Sequence, residues 1–276
     1  MKIKFEDYDE IVRLYECGKQ QREIAEIFKC SQTNVSAILK RKNIQTRVGK
    51  KIVYNDVNYE FFKEINSEEK AYFLGLLYAD GCVKTSNKTY TITLKLKSND
   101  RLIIEKFRNI MSPSSPIKTC DNGKYSYFRI HRKEICEQLI YHGCFPVKSL
   151  ILEFPTTVPD ELIRHFIRGY SDGDGCIYNN KFKTYVNTIW KIVSTKQFCG
   201  KVAKILKNEL NINCSQFLSS PKRKRNIITT TLSVGGNIQS EKILDWLYKD
   251  SAVYMNRKYE KYMKFKLSRN KIRLVA

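Results

Sequence analysis

At 276 residues, 42% of them hydrophobic and 12% aromatic, the chain has the length and apolar content for at least one sizeable core, which excludes a disordered protein. Against 28 acidic residues stand 50 lysines and arginines, a formal charge of +22 that attracts polyanions and makes nucleic acid the first partner to consider. The cysteines are odd in number and scattered, without a CxxC pair or zinc-ligand spacing, and Met1 leads directly into Lys2, Lys4, Glu6 and Asp7 with no membrane-length apolar run. The expectation is a soluble intracellular protein with reduced core thiols and no membrane partner.

Between residues 8 and 44 apolar residues recur at helical spacing in three bursts: Ile11, Val12, Leu14 and Tyr15; Ile24, Ala25, Ile27 and Phe28; Val35, Ile38 and Leu39. Gly18 parts the first helix from the second, and Lys29, Cys30 and Ser31 part the second from the third, with Ser31 suited to cap it. Residues 21–41 resemble a helix-turn-helix, except that Lys29 stands where glycine is common in the turn. The third helix would expose Gln32, Thr33, Asn34, Ser36 and Ala37 to base edges and Lys40, Arg41 and Lys42 to phosphates. A plain three-helix packing element is the alternative, and the polar, non-acidic face favours DNA. Residues 1–47 are therefore expected to form a DNA-binding domain, followed by a linker over 48–65.

The rest of the chain repeats itself at low similarity. Residues 71–81 (Ala-Tyr-Phe-Leu-Gly-Leu-Leu-Tyr-Ala-Asp-Gly) and 165–175 (His-Phe-Ile-Arg-Gly-Tyr-Ser-Asp-Gly-Asp-Gly) each read as a helix ending in Asp-Gly. Small residues four apart, Gly75 with Ala79 and Gly169 with Gly173, share a helix face, so two such helices can cross with their backbones nearly touching. Gly81 and Gly175 are expected to end the helices in the left-handed conformation, leaving Asp80 and Asp174 at the C-termini. There each carboxylate faces the negative end of a helix dipole, an arrangement that a bound cation resolves. Oxygen ligands of this kind suit Mg2+.

Both stretches resemble the LAGLIDADG motif of homing endonucleases, and the likeness extends with gaps over residues 67–264. The element order after each motif follows that family: strands at 82–85 and 91–97, a helix at 100–111, strands at 117–121 and 125–131 and a helix at 133–143. The second copy runs 176–179, 187–194, 196–210, 214–219, 227–234 and 240–248. The resemblance implies an α+β fold of two pseudo-twofold-related αββαββα repeats, forming a saddle of antiparallel sheets. Their boundaries are 66–160 and 161–276, the second ending in a basic tail, and the small all-α helix-turn-helix domain precedes them.

By the same resemblance Asp80 and Asp174, with Gly81 and Gly175, are the expected metal ligands, taking Mg2+ or, as a substitute, Mn2+. The family places a basic residue near the metals. This nominates Lys148, within 146–150, and Lys258, within 255–259, where Arg257 competes. Lys95 and Lys191 stand in one register of the second strand of each repeat, where the family often puts a polar side chain beside the active-site water; ordinary phosphate contact is the alternative for both.

Residues 91–97 alternate strictly, so Thr91, Thr93, Lys95 and Lys97 share a wet face opposite Ile92, Leu94 and Leu96. Tyr125, Tyr127, Arg129 and His131 share another, as do Thr229, Thr231 and Ser233. The resemblance implies that these faces follow the major groove and read bases. Lys222, Arg223, Lys224 and Arg225, and the tail residues Lys264, Lys266, Arg269, Lys271 and Arg273, are expected on phosphates. The implied activity is metal-dependent hydrolysis of one phosphodiester per strand across the minor groove of a long double-stranded DNA site. A monomer is expected, because the duplication supplies both motif helices. A non-cutting DNA-binding regulator, or a maturase whose partner is intron RNA, would share the same features.

Overall fold

A computed structural model describes residues 3–46, 54–86, 89–181, 186–218 and 228–275. It divides into two compact units, Met1–Val53 and Tyr54–Ala276. The basic segment containing Lys222, Arg223, Lys224 and Arg225 lies outside the described residues.

The smaller unit holds α1 (Asp7–Glu16), α2 (Gln21–Ile27) and α3 (Gln32–Arg41). They close on Ile11, Tyr15, Ile24, Ala25, Val35, Ile38 and Leu39, whereas Ile27 points outward. Ser31 caps α3 by accepting from the Asn34 amide at 3.2 Å, and α2 starts with a reciprocal Gln20–Glu23 capping box. The α2–α3 turn passes through Lys29 at φ +48°, a left-handed conformation that β-carbon-bearing residues adopt at a steric penalty. Lys29→Gly is therefore expected to stabilise this unit by about 1 kcal/mol. Slower amide exchange across α2 and α3 in the full chain would show it, and faster exchange would count against it.

The larger unit opens with α4 (Glu68–Asp80), which runs into β1 (Gly81–Ser86) and β2 (Thr89–Lys97). Then come α5 (Arg101–Met111), β3 (Lys118–Cys120), β4 (Tyr125–Ile130) and α6 (Lys133–Tyr141). The order repeats as α7 (Ile163–Asp174), β5 (Gly175–Lys181), β6 (Val186–Ser194), α8 (Lys196–Leu210), β7 (Ser215–Leu218), β8 (Thr230–Gly235) and α9 (Asn237–Tyr248). Each half forms one antiparallel sheet, ordered β1-β2-β4-β3 and β5-β6-β8-β7. Inward residues such as Leu94, Phe128, Trp190 and Leu232 are buried in one continuous core.

α4 and α7 lie in parallel at the centre, and the crossing has no room for side chains. A β-carbon on Gly75 would sit 2.0 Å from the Phe166 carbonyl oxygen, and one on Gly169 would sit 2.0 Å from the Tyr72 carbonyl oxygen. Residues 71–78 of α4 are all buried, which explains why the helix is apolar on every side.

Three expectations change. The segment 54–65 is no free tether: Phe61, Phe62 and Ile65 lie in the main core. The basic tail is instead a long helix, α10 (Asn256–Val275). It buries Tyr262 and Phe265, while Lys266 and Arg269 form ion pairs with Glu241 and Asp245 of α9 rather than standing open for phosphates. Nor are the cysteines all core thiols, since Cys17 and Cys82 are exposed; none of the nine forms a disulfide. Among the described residues no helix is long and apolar enough to cross a membrane.

Candidate active site

Asp80 and Asp174 are the last residues of α4 and α7, and the close crossing brings the two helix ends together. A β-carbon on Gly173 would lie 2.5 Å from the Ala79 β-carbon and 2.8 Å from Asp80 Oδ2, so the small residue is what lets the first carboxylate sit against the second helix. The Asp80 carboxyl is pushed up to about 6, first by burial and then by the like charge of Asp174, with Lys148 and Arg257 opposing. Asp174 is also raised, by the protein packed around it, with Lys148 and Lys258 pulling the other way.

The glycines after the aspartates act differently from expectation. Gly81 (φ −75°, ψ 146°) and Gly175 (φ −92°, ψ 168°) are extended, not left-handed, and each helix passes straight into a strand. Their small size is required by crowding from the preceding helical turn: a β-carbon would meet the Leu77 carbonyl oxygen at 2.5 Å or the Ser171 carbonyl oxygen at 2.3 Å. Both glycine carbonyls carry matching partners. Lys148 Nζ donates to the Gly81 oxygen, and Lys258 Nζ donates to the Gly175 oxygen and, at 3.1 Å, to the Ser171 oxygen. Both lysines are buried, and burial pushes Lys258 down to about 8 against the pull of Asp172.

This pairing makes Lys258, not Arg257, the counterpart of Lys148. Arg257 turns toward the first carboxylate, where it binds both oxygens of buried Asp100 at 2.8 and 3.0 Å. Asp80, Asp100, Arg257 and Lys95 line one cleft with Asn99 and Tyr125.

A buried polar framework holds the lysine-bearing segments. Asp172 Oδ2 accepts from Tyr72 Oη at 2.7 Å and from the Met255 amide at 2.7 Å, while Oδ1 accepts from Tyr248 Oη at 2.6 Å. Desolvation raises the Asp172 carboxyl against those three donors. The Met255 bond anchors the start of α10, three residues before Lys258. In the first half Tyr78 stands at the equivalent position, two residues before the aspartate, and donates to the His142 carbonyl, ahead of Lys148. Fully buried Arg168 donates to Glu68 at 2.6 Å and to the Leu247 and Val253 carbonyls at 2.9 Å each. Sequence reasoning does not find Asp100, Asp172 or Arg168; for the last two the available signal is a charged residue within a motif helix whose small residues predict close packing against its partner.

The outward sheet faces carry most of the remaining candidates. Lys95 spans Asp121 at 3.2 Å and the Tyr125 ring at 4.6 Å, and Arg129 donates to Thr93 at 3.0 Å over the Tyr127 ring. Lys97 is exposed and Thr231 half-buried. Thr91 is buried, bonded to His131 at 3.0 Å, and is not open to a ligand in this state. Thr229 precedes β8 and is half-buried.

Lys95 and Lys191 do not share a register: Gly81 faces Leu94, whereas Gly175 faces Ile192. Counted from the motif glycines, Lys95 matches Val193 and Lys191 matches Thr93. In the smaller unit, considered separately, Gln32, Thr33, Asn34 and Lys40 are exposed and Ser36 half-buried, while Arg41 reaches Tyr8 Oη at 3.2 Å and Lys42 reaches Asp9 at 2.7 Å.

Among the described residues no group of three or more His, Cys, Asp or Glu side chains could hold a metal. The donor set is the two aspartates. That suits a hard cation such as Mg2+, which takes one or two protein carboxylates and completes its shell with water and phosphate oxygens.

No protein-family model matches the sequence, and no curated protein matches it. Solved structures do match. The LAGLIDADG homing endonuclease I-LtrWI, bound to target DNA, superposes with a TM-score of 0.52 at 13% identity, over 79% of this chain and 92% of that one. The LAGLIDADG meganuclease I-AabMI, bound to uncleaved DNA, gives 0.52 at 13%, over 75% and 92%. The homing endonuclease I-GzeII, in complex with its DNA target, gives 0.51 at 14%, over 76% and 93%. The chain has the fold of the LAGLIDADG homing endonucleases.

Proposed function

We propose that this protein is a site-specific, Mg2+-dependent double-strand DNA endonuclease of the homing type, with Mn2+ as a substitute metal, acting as a monomer. The observation that carries the reading is the pair of carboxylates at two touching helix ends, one raised to about 6 by burial and by the other's charge. Two anions held together in this way are favoured only if cations join them.

Asp80 and Asp174 would hold the metal, which when bound supplies charge neutralisation at the scissile phosphates and a more acidic water. Gly81 and Gly175 present backbone oxygens beside the carboxylates, and Lys148 and Lys258 fix the direction of those oxygens. The lysines also bring positive charge to where negative charge grows on each phosphate. Arg257, kept in place by Asp100, adds a cation on the Asp80 side. The outward sheet faces would lie along the major groove, and α3 of the smaller unit, with its polar exposed side chains, would contact a further stretch of duplex.

Cutting of a randomised duplex library with and without Mg2+ tests this reading. Enrichment of one long site cut on both strands, only with metal, supports it. Site-selective binding without metal-dependent cutting would instead favour a regulator, and preference for structured intron RNA a maturase. Lys148→Met and Lys258→Met are each expected to lower the cleavage rate by about 10- to 100-fold with little change in DNA affinity, the usual scale for residues that orient metal ligands. A rate unchanged in both would remove the lysines from the mechanism.

A further inference from the structure

The two sheets have the same topology, yet register-matched positions on their outward faces carry different chemistry. With Gly81 opposite Leu94 and Gly175 opposite Ile192, Lys84 of β1 matches Tyr178 of β5, and Thr91 and Lys95 of β2 match Ile189 and Val193 of β6. The same matching carries to the outer strands. Tyr127 faces Lys95 and Lys118, while Thr231 faces Val193 and Phe217, so Lys118 matches Phe217; likewise Arg129 matches Ser233. Among the described residues, only at Thr93 and Lys191 does the cation fall on the second sheet. Phe217 is 59% exposed, and Ile189 and Val193 keep partial exposure on the face away from the covering helices.

In a major groove, lysine and arginine pair best with the N7 and O6 acceptors of guanine, whereas the one apolar group on any base edge is the thymine 5-methyl. We infer that the two repeats read their half-sites by different chemistry: the first through guanine acceptors met by Lys84, Lys95 and Arg129, the second through thymine methyls packed on Ile189, Val193 and Phe217. This rests on the reading that the sheets lie in the major groove of DNA. The second face keeps Lys191, Thr231 and Ser233 among its apolar residues, so it can meet polar base edges as well as methyls. A purely apolar partner face would leave those groups unpaired.

The test uses the full chain and the duplex it enriches from a randomised library, with binding measured in EDTA. Replacing thymine by deoxyuracil removes only the methyl. In one half-site this is expected to weaken binding about fourfold per contacted thymine, the scale of one buried carbon, and in the other half-site to change nothing. Replacing guanine by 7-deazaguanine should act in the opposite half, by about fivefold or more per contacted base. Ile189→Ser, Val193→Ser and Phe217→Ser together should abolish the deoxyuracil effect and leave the guanine effect in place. Deoxyuracil neutral in both halves, or a triple variant still sensitive to it, would overturn the inference while leaving the endonuclease reading intact. Failure of any duplex to enrich would overturn both.

Discussion

Asp80→Asn and Asp174→Asn proteins are each expected to keep binding the selected duplex and to lose cutting of one strand by about 1,000-fold or more, the scale of removing a group that stabilises charge only in the transition state. On the proposed reading each strand is cut beside one aspartate, so a single variant should leave nicked product and the double variant none. Equal loss on both strands from one substitution would mean that the two carboxylates work as one shared centre. Full double-strand cutting by either variant would remove that aspartate from the mechanism.

Stability gives a second, independent readout of the same residue. The Asp80 carboxyl lies near 3.8 when unperturbed and at about 6 in the folded protein. Because the folded pKa is the higher, the unfolded chain gives up its proton first. The stabilising protonated state is complete below about pH 4 and is lost as the pH rises through about 6. Above that window the charged group destabilises the metal-free protein by about 2–3 kcal/mol at most. Asp80→Asn should therefore melt several degrees higher than wild type at neutral pH in EDTA, with the difference fading in acid. A variant that melts lower at neutral pH would contradict the crowding of charge on which the metal assignment rests.

Much of this fold can be read from periodicity because each signal is local. Alternation across residues 91–97 marks β2, and the four-residue spacing of Gly75 with Ala79 and Gly169 with Gly173 marks a helix face that meets another backbone. What escaped reading depends on atoms distant in sequence or on loop length. An Asp-Gly pair suggests a left-handed helix end, but Gly81 is extended and is small because of the Leu77 carbonyl one turn earlier. Lys95 and Lys191 looked equivalent because both stand on the second strand. Yet Gly81 meets Leu94 thirteen residues on and Gly175 meets Ile192 seventeen residues on, so the longer second hairpin shifts every outward residue. The helix α10 was hidden because its basic residues dominate the composition; Glu241 and Asp245, which neutralise two of them, lie on another helix.

The α4–α7 crossing gives the largest expected effect on stability. Gly169→Ala would place a β-carbon 2.0 Å from the Tyr72 carbonyl oxygen and 2.9 Å from the Leu76 nitrogen, both backbone atoms that no rotamer change can move. The helices would have to separate by roughly 1 Å or more, carrying Asp80 and Asp174 apart and opening the core between them. A loss of about 3 kcal/mol or more is expected, at or beyond the upper end for overpacking, and cleavage should fail even in the fraction that folds. Gly200, within α8, is the control: a β-carbon there meets nothing within 4 Å. Gly200→Ala should stabilise the protein by about 0.5–1 kcal/mol through helix propensity alone. Urea unfolding of the two variants separates the explanations. If both alanines destabilise similarly, the motif glycines matter for helix dynamics in general; if only Gly169→Ala does, what α4 and α7 require is close approach, and it is the missing β-carbons of Gly75 and Gly169 that let the two carboxylates come together.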